Sequence, residues 1–219
     1  MRDGTLKLSG DPVPGMAEQI EGIVDFDMNG YAAVALKRDG GVILWNTDAG
    51  PDRVFQPDRQ WLGEVVAARS GFEAGHWWFL RRDGTVGHTG DKKVIIDSAF
   101  REPVSAIAPT RVWACFALTL DGQIIHSENP NFTNPLLLEQ IPNDRGPFID
   151  LRCGGDCAAA QRPDGSWVAW GSDREKDLAL FRELETAGHV RDLRIKGVEG
   201  DRVKDGAGNL VIIGIRPEA

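Results

Sequence analysis

The chain has 219 residues, of which 42% are hydrophobic and 26% charged, and its formal net charge is −8. This composition is typical of a globular protein. The acidic balance and scattered basic residues disfavour nucleic-acid binding, because phosphate recognition needs clustered lysine and arginine. No apolar stretch approaches the ~18 residues of a membrane span, so no membrane association is predicted. The first ten residues lack an apolar run, so we expect no signal peptide and a cytoplasmic protein.

A strand–turn–strand pattern recurs along the whole chain. The turn contains Asp-Gly, and glycine supplies the positive φ that a two-residue hairpin needs. Intact turns occur at Asp3-Gly4, Asp39-Gly40, Asp83-Gly84, Asp121-Gly122 and Asp164-Gly165, and a degraded copy has Gly208. Successive turn glycines are 36 to 44 residues apart. This near-regular spacing indicates an internal repeat.

A third strand precedes each hairpin and carries an apolar pair three residues apart. The pairs are Ile23/Phe26, Val65/Ala68, Val104/Ile107, Phe148/Leu151 and Val190/Leu193. Short strands at even spacing, with one turn in each unit, are typical of radially repeated antiparallel sheets. The pattern therefore predicts an all-β fold, namely a single β-propeller of five or six blades that occupies residues 1–219.

The repeat also predicts where each unit begins and ends. A leading half-unit covers 1–10, and five full units follow at approximately 20–50, 63–90, 102–129, 147–172 and 189–216. The fifth unit is degenerate, which leaves the blade number open. We expect the strand in "GTLKLSG" to close the ring by pairing with the last blade. The alternative is an open edge that pairs with another chain, so a monomer and an edge-paired oligomer both remain.

Two segments interrupt the repeat. Residues 173–187 are predicted to form one short helix, with Leu178, Phe181 and Leu184 on one face. This helix either connects blades along the rim or docks a partner. Residues 129–147 form a long loop rich in proline and asparagine, and such loops often carry function. Its leucines, 136–138, either contact a partner or pack as an edge strand or beneath the loop.

The repeat resembles that of the regulator of chromosome condensation family. The segment "GGDCAAAQRPDGSWVAWG" matches the family unit at Gly154, Asp164, Gly165, Trp170 and Gly171. Known members usually have seven units, and the short units here are closer to compact bacterial members. The resemblance implies a β-propeller that binds proteins, for example in nucleotide exchange on a small GTPase or in inhibition of a β-lactamase. The negative charge disfavours a chromatin role.

No residue pattern predicts catalysis, a cofactor or a metal. Cys153 and Cys157 have no neighbouring Cys/His pair that would complete a tetrahedral metal site, so we interpret them as structural thiols. The four histidines fall in different units, and most aspartates serve turns. We therefore predict that the protein is not an enzyme. A hydrolase or lyase propeller would need carboxylates or histidines that converge on the central channel.

The tryptophans supply the candidates for partner binding. Trp77 and Trp78 are adjacent on one strand, so their side chains face opposite ways and one of them is expected to be exposed. Together with Trp61 and Leu137 they form the predicted partner-binding set. We predict a non-catalytic protein–protein interaction module, with inhibitor or regulator of its partner as the candidate roles. The alternative is a carbohydrate-binding propeller lectin. The sequence disfavours it, because the aromatic residues outside the core columns do not recur at the same position in each unit.

Overall fold

The computed structural model describes residues 6–7, 19–28, 32–46, 54–55, 57, 63–71, 75–90, 93–96, 100–110, 114–127, 135–154, 157–172, 175–186, 191–198 and 209–215. The chain forms two compact units, Met1–Val104 and Ser105–Ala219. Both consist mainly of small antiparallel sheets in which strands that follow one another in sequence are neighbours. This meander order is that of a propeller blade. No helix in the described ranges is long and apolar enough to cross a membrane.

The first unit contains one two-stranded sheet and two four-stranded sheets. The two-stranded sheet pairs β1 with β2, and its strands are Leu6–Lys7 and Gln19–Ile20. The next sheet has the order β3-β4-β5-β6, with strands Ile23–Met28, Ala32–Lys37, Val42–Asn46 and Val54–Phe55. The last has the order β7-β8-β9-β10, with strands Val65–Ser70, Trp77–Arg81, Val86–Gly90 and Lys93–Ile96.

The second unit, into which strand β11 leads, contains two three-stranded sheets, a two-stranded sheet and short helices. The three-stranded sheets are β11-β12-β13, with strands Val104–Pro109, Cys115–Thr119 and Ile124–His126, and β14-β15-β16, with strands Asp150–Gly154, Cys157–Gln161 and Trp167–Trp170. Strands β17 and β18 are Arg191–Val198 and Asn209–Ile215. Helices α1 and α2 are Pro135–Glu139 and Glu175–Thr186, and Asn143–Arg145 form a 3-10 turn.

Each of the five full units read from the sequence therefore contains the strands of one sheet, and β6 and β10 extend the first two sheets a few residues further. The predicted helix at 173–187 is confirmed as α2. The predicted ring closure is not what the described strands show: β1 pairs with β2, a strand only a dozen residues later in the chain, and with no strand of the last unit. The single-domain boundaries and the blade number stay predictions.

The four described Asp-Gly hairpins have the same type of turn, which differs from the predicted two-residue turn. In the first, the backbone N–H of Lys37 donates to the Gly41 carbonyl and that of Gly40 donates to the Lys37 carbonyl. This pattern encloses a three-residue loop with glycine at its third position. The same bonds close the other three loops, and the glycines Gly40, Gly84, Gly122 and Gly165 have φ between 82° and 86°. Asp3-Gly4 lies outside the described residues.

The second strand of each of the four larger sheets is buried on both faces. Along β4, Ala32, Val34 and Leu36 pack in one cluster, whereas Ala33 and Ala35 pack in another on the opposite face. Because both faces are covered, the strand reads as a continuous apolar run with no polar alternation. Small residues dominate because other layers approach on each side. Strand β15, with three consecutive alanines, is built in the same way.

The interior of the second unit lies on the two faces of the sheet β14-β15-β16. One face packs against β11–β13 and helix α1, through Phe116, Leu118 and Leu137. The other face is covered by helix α2, whose Phe181 and Leu184 contact Cys157, Ala159 and Trp167. The apolar stripe of α2 that the sequence indicated is thus used for packing. It favours the interpretation of α2 as a structural helix over that of a docking helix.

Candidate partner-binding surface

The aromatic residues chosen from the sequence lie inside the protein. Trp77 and Trp78 are 3% and 2% exposed, so the expectation that one of them faces solvent is wrong. Their side chains do point to opposite faces of β8, but both faces of the sheet are covered. Trp77 packs among residues of the β3–β6 sheet, and the ring of Trp78 stacks on His88 with centroids 4.8 Å apart. Trp61 lies outside the described residues.

Leu137 is also buried, with 1% of its surface exposed. The part of the 129–147 segment that the structure describes is held to the core by polar side chains as well. The Asn143 side chain accepts a hydrogen bond from the Ile124 N–H at 2.8 Å and donates to the Ile124 carbonyl at 2.9 Å. Gln140 accepts a bond from the Gly171 N–H at 3.1 Å. These contacts give residues 135–147 a structural role.

Exposed apolar side chains occur instead at one repeated position. In β3 and β7 the register shifts by one residue, so that Val24 and Val66 are each the extra residue of a β-bulge. A bulge re-aims a side chain away from the regular alternation. Both valines are solvent-exposed. In the second unit Ile149 holds the same repeat position, one residue before Asp150 as Val24 is one residue before Asp25, and 57% of its surface is exposed.

Ile149 lies in a segment whose backbone is hydrogen-bonded to two hairpins of the second unit. The Phe148 N–H donates to the Gly122 carbonyl at 3.0 Å, which joins the segment 147–149 to the hairpin loop that begins with Leu120. The Ile149 N–H donates at 2.7 Å to the carbonyl of Gln161, the last residue of β15, two residues before the hairpin loop that begins with Pro163. Leu120 is 74% exposed, and both prolines are exposed too. We call Leu120, Pro147, Ile149 and Pro163 the hairpin-end patch.

The backbone beneath this patch is held in place on several sides. Phe148, between the two exposed residues Pro147 and Ile149, is buried in the core cluster. A Cβ added to Gly122 would lie 2.7 Å from the Phe148 carbonyl oxygen, so the loop and the segment are in close backbone contact. The patch therefore presents flexible apolar side chains on an ordered frame, which lowers the entropic cost of binding.

Charged residues are near neighbours of the patch residues in sequence. Asp164 accepts hydrogen bonds from the Ser166 hydroxyl at 2.6 Å and from its N–H at 2.9 Å, and Asp121 accepts one from the Thr119 hydroxyl. Arg145 pairs with Glu185 of α2 at 3.0 Å. The Arg162 guanidinium donates to the Arg145 carbonyl at 3.0 Å. An apolar centre with a polar rim is the usual anatomy of a protein–protein interface.

The equivalent turn in the first unit shows how these loops hold their aspartates. The Asp83 carboxylate accepts hydrogen bonds from the Thr85 hydroxyl at 2.7 Å and from the Thr85 N–H at 2.9 Å. These two bonds, with a smaller contribution from the nearby Arg81 guanidinium, lower the pKa of Asp83 below its ordinary value of 3.8. The same two hydrogen bonds hold the geometry of the Asp83 loop.

The described residues offer no arrangement suited to a metal. Among them, no group of three or more His, Cys, Asp and Glu side chains lies close enough to bind one. Cys153 and Cys157 have side chains on opposite faces of their sheet, because Cys153 packs against the β11–β13 side and Cys157 against α2. The Cys153 thiol donates to the Cys157 carbonyl at 3.2 Å. This arrangement agrees with their interpretation as structural thiols.

Sequence reasoning missed the patch because its residues lie in hairpin loops and in the segment just before β14, where strand alternation assigns no face. A signal was present: Val24, Val66 and Ile149 occupy one repeat column directly after Ile23, Val65 and Phe148. Apolar residues in a column that should face solvent indicate a surface with a binding role.

Comparison with known proteins gives the fold. No family model and no curated protein sequence match the chain. Human WBSCR16 is 16% identical with a TM-score of 0.53, over 78% of this chain and 56% of that structure. The ectodomain of the Physcomitrella patens receptor kinase CR4 is 13% identical with a TM-score of 0.52, over 72% and 42%.

Saccharomyces cerevisiae Prp20p is a weaker structural match, 15% identical with a TM-score of 0.44, over 73% of this chain and 47% of that structure. The chain spans about half the length of the structures it matches. Identities this low reveal nothing about activity. Together with the meander sheets, the two stronger matches show that the fold is an all-β propeller.

Proposed function

We propose that the protein is a non-catalytic interaction module whose hairpin-end patch binds a protein partner and thereby inhibits or regulates it. The observation that carries this proposal is the exposure of Leu120 and Ile149, 74% and 57%, on an ordered backbone. Large aliphatic side chains at loop ends are costly to leave in water unless a partner covers them. The propeller fold supports the proposal, because it presents loops on a rigid scaffold.

The size of the expected effect follows from burial. Covering a leucine or isoleucine side chain contributes about 1.5–3 kcal/mol. Each 1.4 kcal/mol corresponds to a factor of about ten in the dissociation constant. Loss of both side chains should therefore weaken the complex by about a hundredfold or more, while stability changes little because both residues are on the surface.

The test is a pull-down from a lysate of the source organism with three baits, each checked for folding by circular dichroism. The baits are the wild type, Leu120→Ser/Ile149→Thr, and the control Val24→Thr/Val66→Thr. The control removes two exposed apolar side chains from the equivalent position of the first unit. We expect the wild type and the control to capture the same protein, and the patch variant to lose it.

Two results would contradict the proposal. Equal capture by all three baits would exclude the hairpin-end patch, and no capture by the wild type would count against an interaction module. A glycan array is the parallel check on the lectin alternative. Binding of one sugar at several equivalent sites, unaffected by Leu120→Ser/Ile149→Thr, would replace the protein-binding function with carbohydrate recognition.

A further inference from the structure

The charged residues next to the hairpin-end patch in sequence are unbalanced, and we call them its rim. Within three residues of the patch the rim has four carboxylates and three guanidinium groups, namely Asp121, Asp144, Asp150, Asp164, Arg145, Arg152 and Arg162. Two of the three cations are paired, Arg145 with Glu185 and Arg152 with Asp150. With Glu185 included, the charges of these described residues sum to −2, on a chain whose net charge is −8.

We infer that the partner presents to this patch a segment with one or two apolar anchor residues flanked by lysine or arginine. This inference rests on the proposed function and specifies its partner. The anchors would cover Leu120 and Ile149, and the flanking cations would lie near Asp144 and the two turn aspartates. Complementary charge at a rim accelerates association and selects among partners more than it adds affinity.

The same charges weigh against two other occupants. A second copy of this chain would bring the same negative rim onto itself, and like charges brought together at an interface cost affinity. A nucleic acid would bring phosphates toward carboxylates, the reverse of the complementarity that such binding requires. A cationic segment with apolar anchors is the occupant that both covers the exposed apolar side chains and complements the negative charge of the rim.

The experiment is a selection from a phage library of random peptides on the immobilised full chain. Peptides that are enriched on the wild type are then synthesised, and their dissociation constants are measured by fluorescence anisotropy. Four variants are compared: Leu120→Ser/Ile149→Thr, Val24→Thr/Val66→Thr, Asp144→Lys and Glu102→Lys. Asp144 and Glu102 are both exposed, so the two lysine variants change the net charge equally but only one alters the rim.

We expect the enriched peptides to carry apolar residues with an excess of lysine and arginine. Their binding should be lost in Leu120→Ser/Ile149→Thr, retained in Val24→Thr/Val66→Thr, and weakened several-fold by Asp144→Lys but not by Glu102→Lys. Affinity should also fall as salt is raised from about 0.05 to about 0.5 M, because the Debye length shortens from roughly 14 to 4 Å and screens exposed charges.

The outcomes separate this inference from the proposed function. Peptides that need Leu120 and Ile149 but have neutral or acidic flanks, and that ignore Asp144→Lys, would overturn the partner chemistry and leave the interaction surface intact. Peptides that bind Leu120→Ser/Ile149→Thr as well as the wild type would overturn the surface itself. Failure to enrich any peptide would exclude a short linear segment as the occupant.

Discussion

The indole nitrogen of Trp77 donates a hydrogen bond of 3.0 Å to the carbonyl oxygen of Ala33, and this bond ties strand β8 to strand β4 of the neighbouring sheet. Trp170 makes the same kind of bond in the second unit, where its indole nitrogen donates to the Leu137 carbonyl at 3.0 Å. Each tryptophan buries a large ring and satisfies its single donor at once. Tryptophan, which the sequence suggested for partner binding, thus links a strand to a neighbouring element of the fold.

Replacing Trp77 with phenylalanine should lower the free energy of unfolding by about 2–4 kcal/mol. The substitution leaves the buried Ala33 carbonyl without this donor and opens a small cavity. Urea denaturation followed by circular dichroism measures the loss, and Trp170→Phe should show a loss of similar size. A change below about 1 kcal/mol in Trp77→Phe would show that the Ala33 carbonyl finds another donor.

Two turn glycines should respond differently to alanine. Both have φ of +82°, so alanine at either position adopts a left-handed conformation that costs about 1–2 kcal/mol. Gly40 has open space around it, whereas a Cβ on Gly122 would meet Phe148 backbone atoms at 2.7 and 2.8 Å. Gly122→Ala should therefore cost a further 1–3 kcal/mol or so. Equal midpoints of denaturation for the two variants would refute the close approach.

The ion pair between Asp25 and Arg69 should be coupled more strongly than the pair between Glu64 and Arg82. The first joins β3 to β7 at 2.5 Å and is partly buried, whereas the second, at 2.7 Å, is largely exposed. Exposed pairs contribute about 0–1 kcal/mol because solvent screens them. A double-mutant cycle on each pair, read by denaturation, should give the larger coupling energy for Asp25 and Arg69. The reverse order would contradict this assignment.

Asp83 should titrate at a lower pH than a free aspartate, and Thr85→Val should raise its pKa toward 3.8. The Thr85 hydroxyl supplies the largest of the contributions that hold the pKa down, and the remaining Thr85 N–H bond keeps the rise partial. Since the folded pKa is depressed, the associated stability is present above the unfolded value of 3.8 and is lost as pH falls through the folded pKa. Carboxyl carbon NMR titration measures the shift. An unchanged midpoint in Thr85→Val would show that the hydroxyl is not the cause.

The repeat, the turn positions and the core columns were readable from the sequence because each depends on local chemistry. Gly122 and Gly165 both have positive φ, as the Asp-Gly turns predict, and the leading apolar residue of each of the first four full units, such as Val104, is buried. Loop length was not readable, since it depends on which backbone groups close the hairpin. An Asp-Gly pair fits a two-residue turn and the third position of a three-residue loop equally well.

The candidate partner-binding surface could not be predicted from the sequence, because the exposure of a side chain depends on spatial neighbours that the sequence does not reveal. Adjacent tryptophans on a strand do face opposite ways, as with Trp77 and Trp78, but both faces of a blade are interior. Ile149, by contrast, is an aliphatic residue of the kind expected in a core. It is exposed because it lies directly before the start of β14. The candidate site could be recognised only when the exposure of individual side chains and the backbone contacts between loops were known.

The side chain of Asn143 takes the place that the backbone of a further strand would have beside Ile124. Its amide group presents one acceptor and one donor to Ile124, in the manner of a neighbouring residue in a ladder. The sheet β11-β12-β13 has three strands, and its outer edge is sealed here by a single residue. Because the edge is occupied, a strand from another molecule cannot extend the sheet at this point. Asn143 thereby keeps the Ile124 edge of β13 out of any association that would depend on backbone pairing.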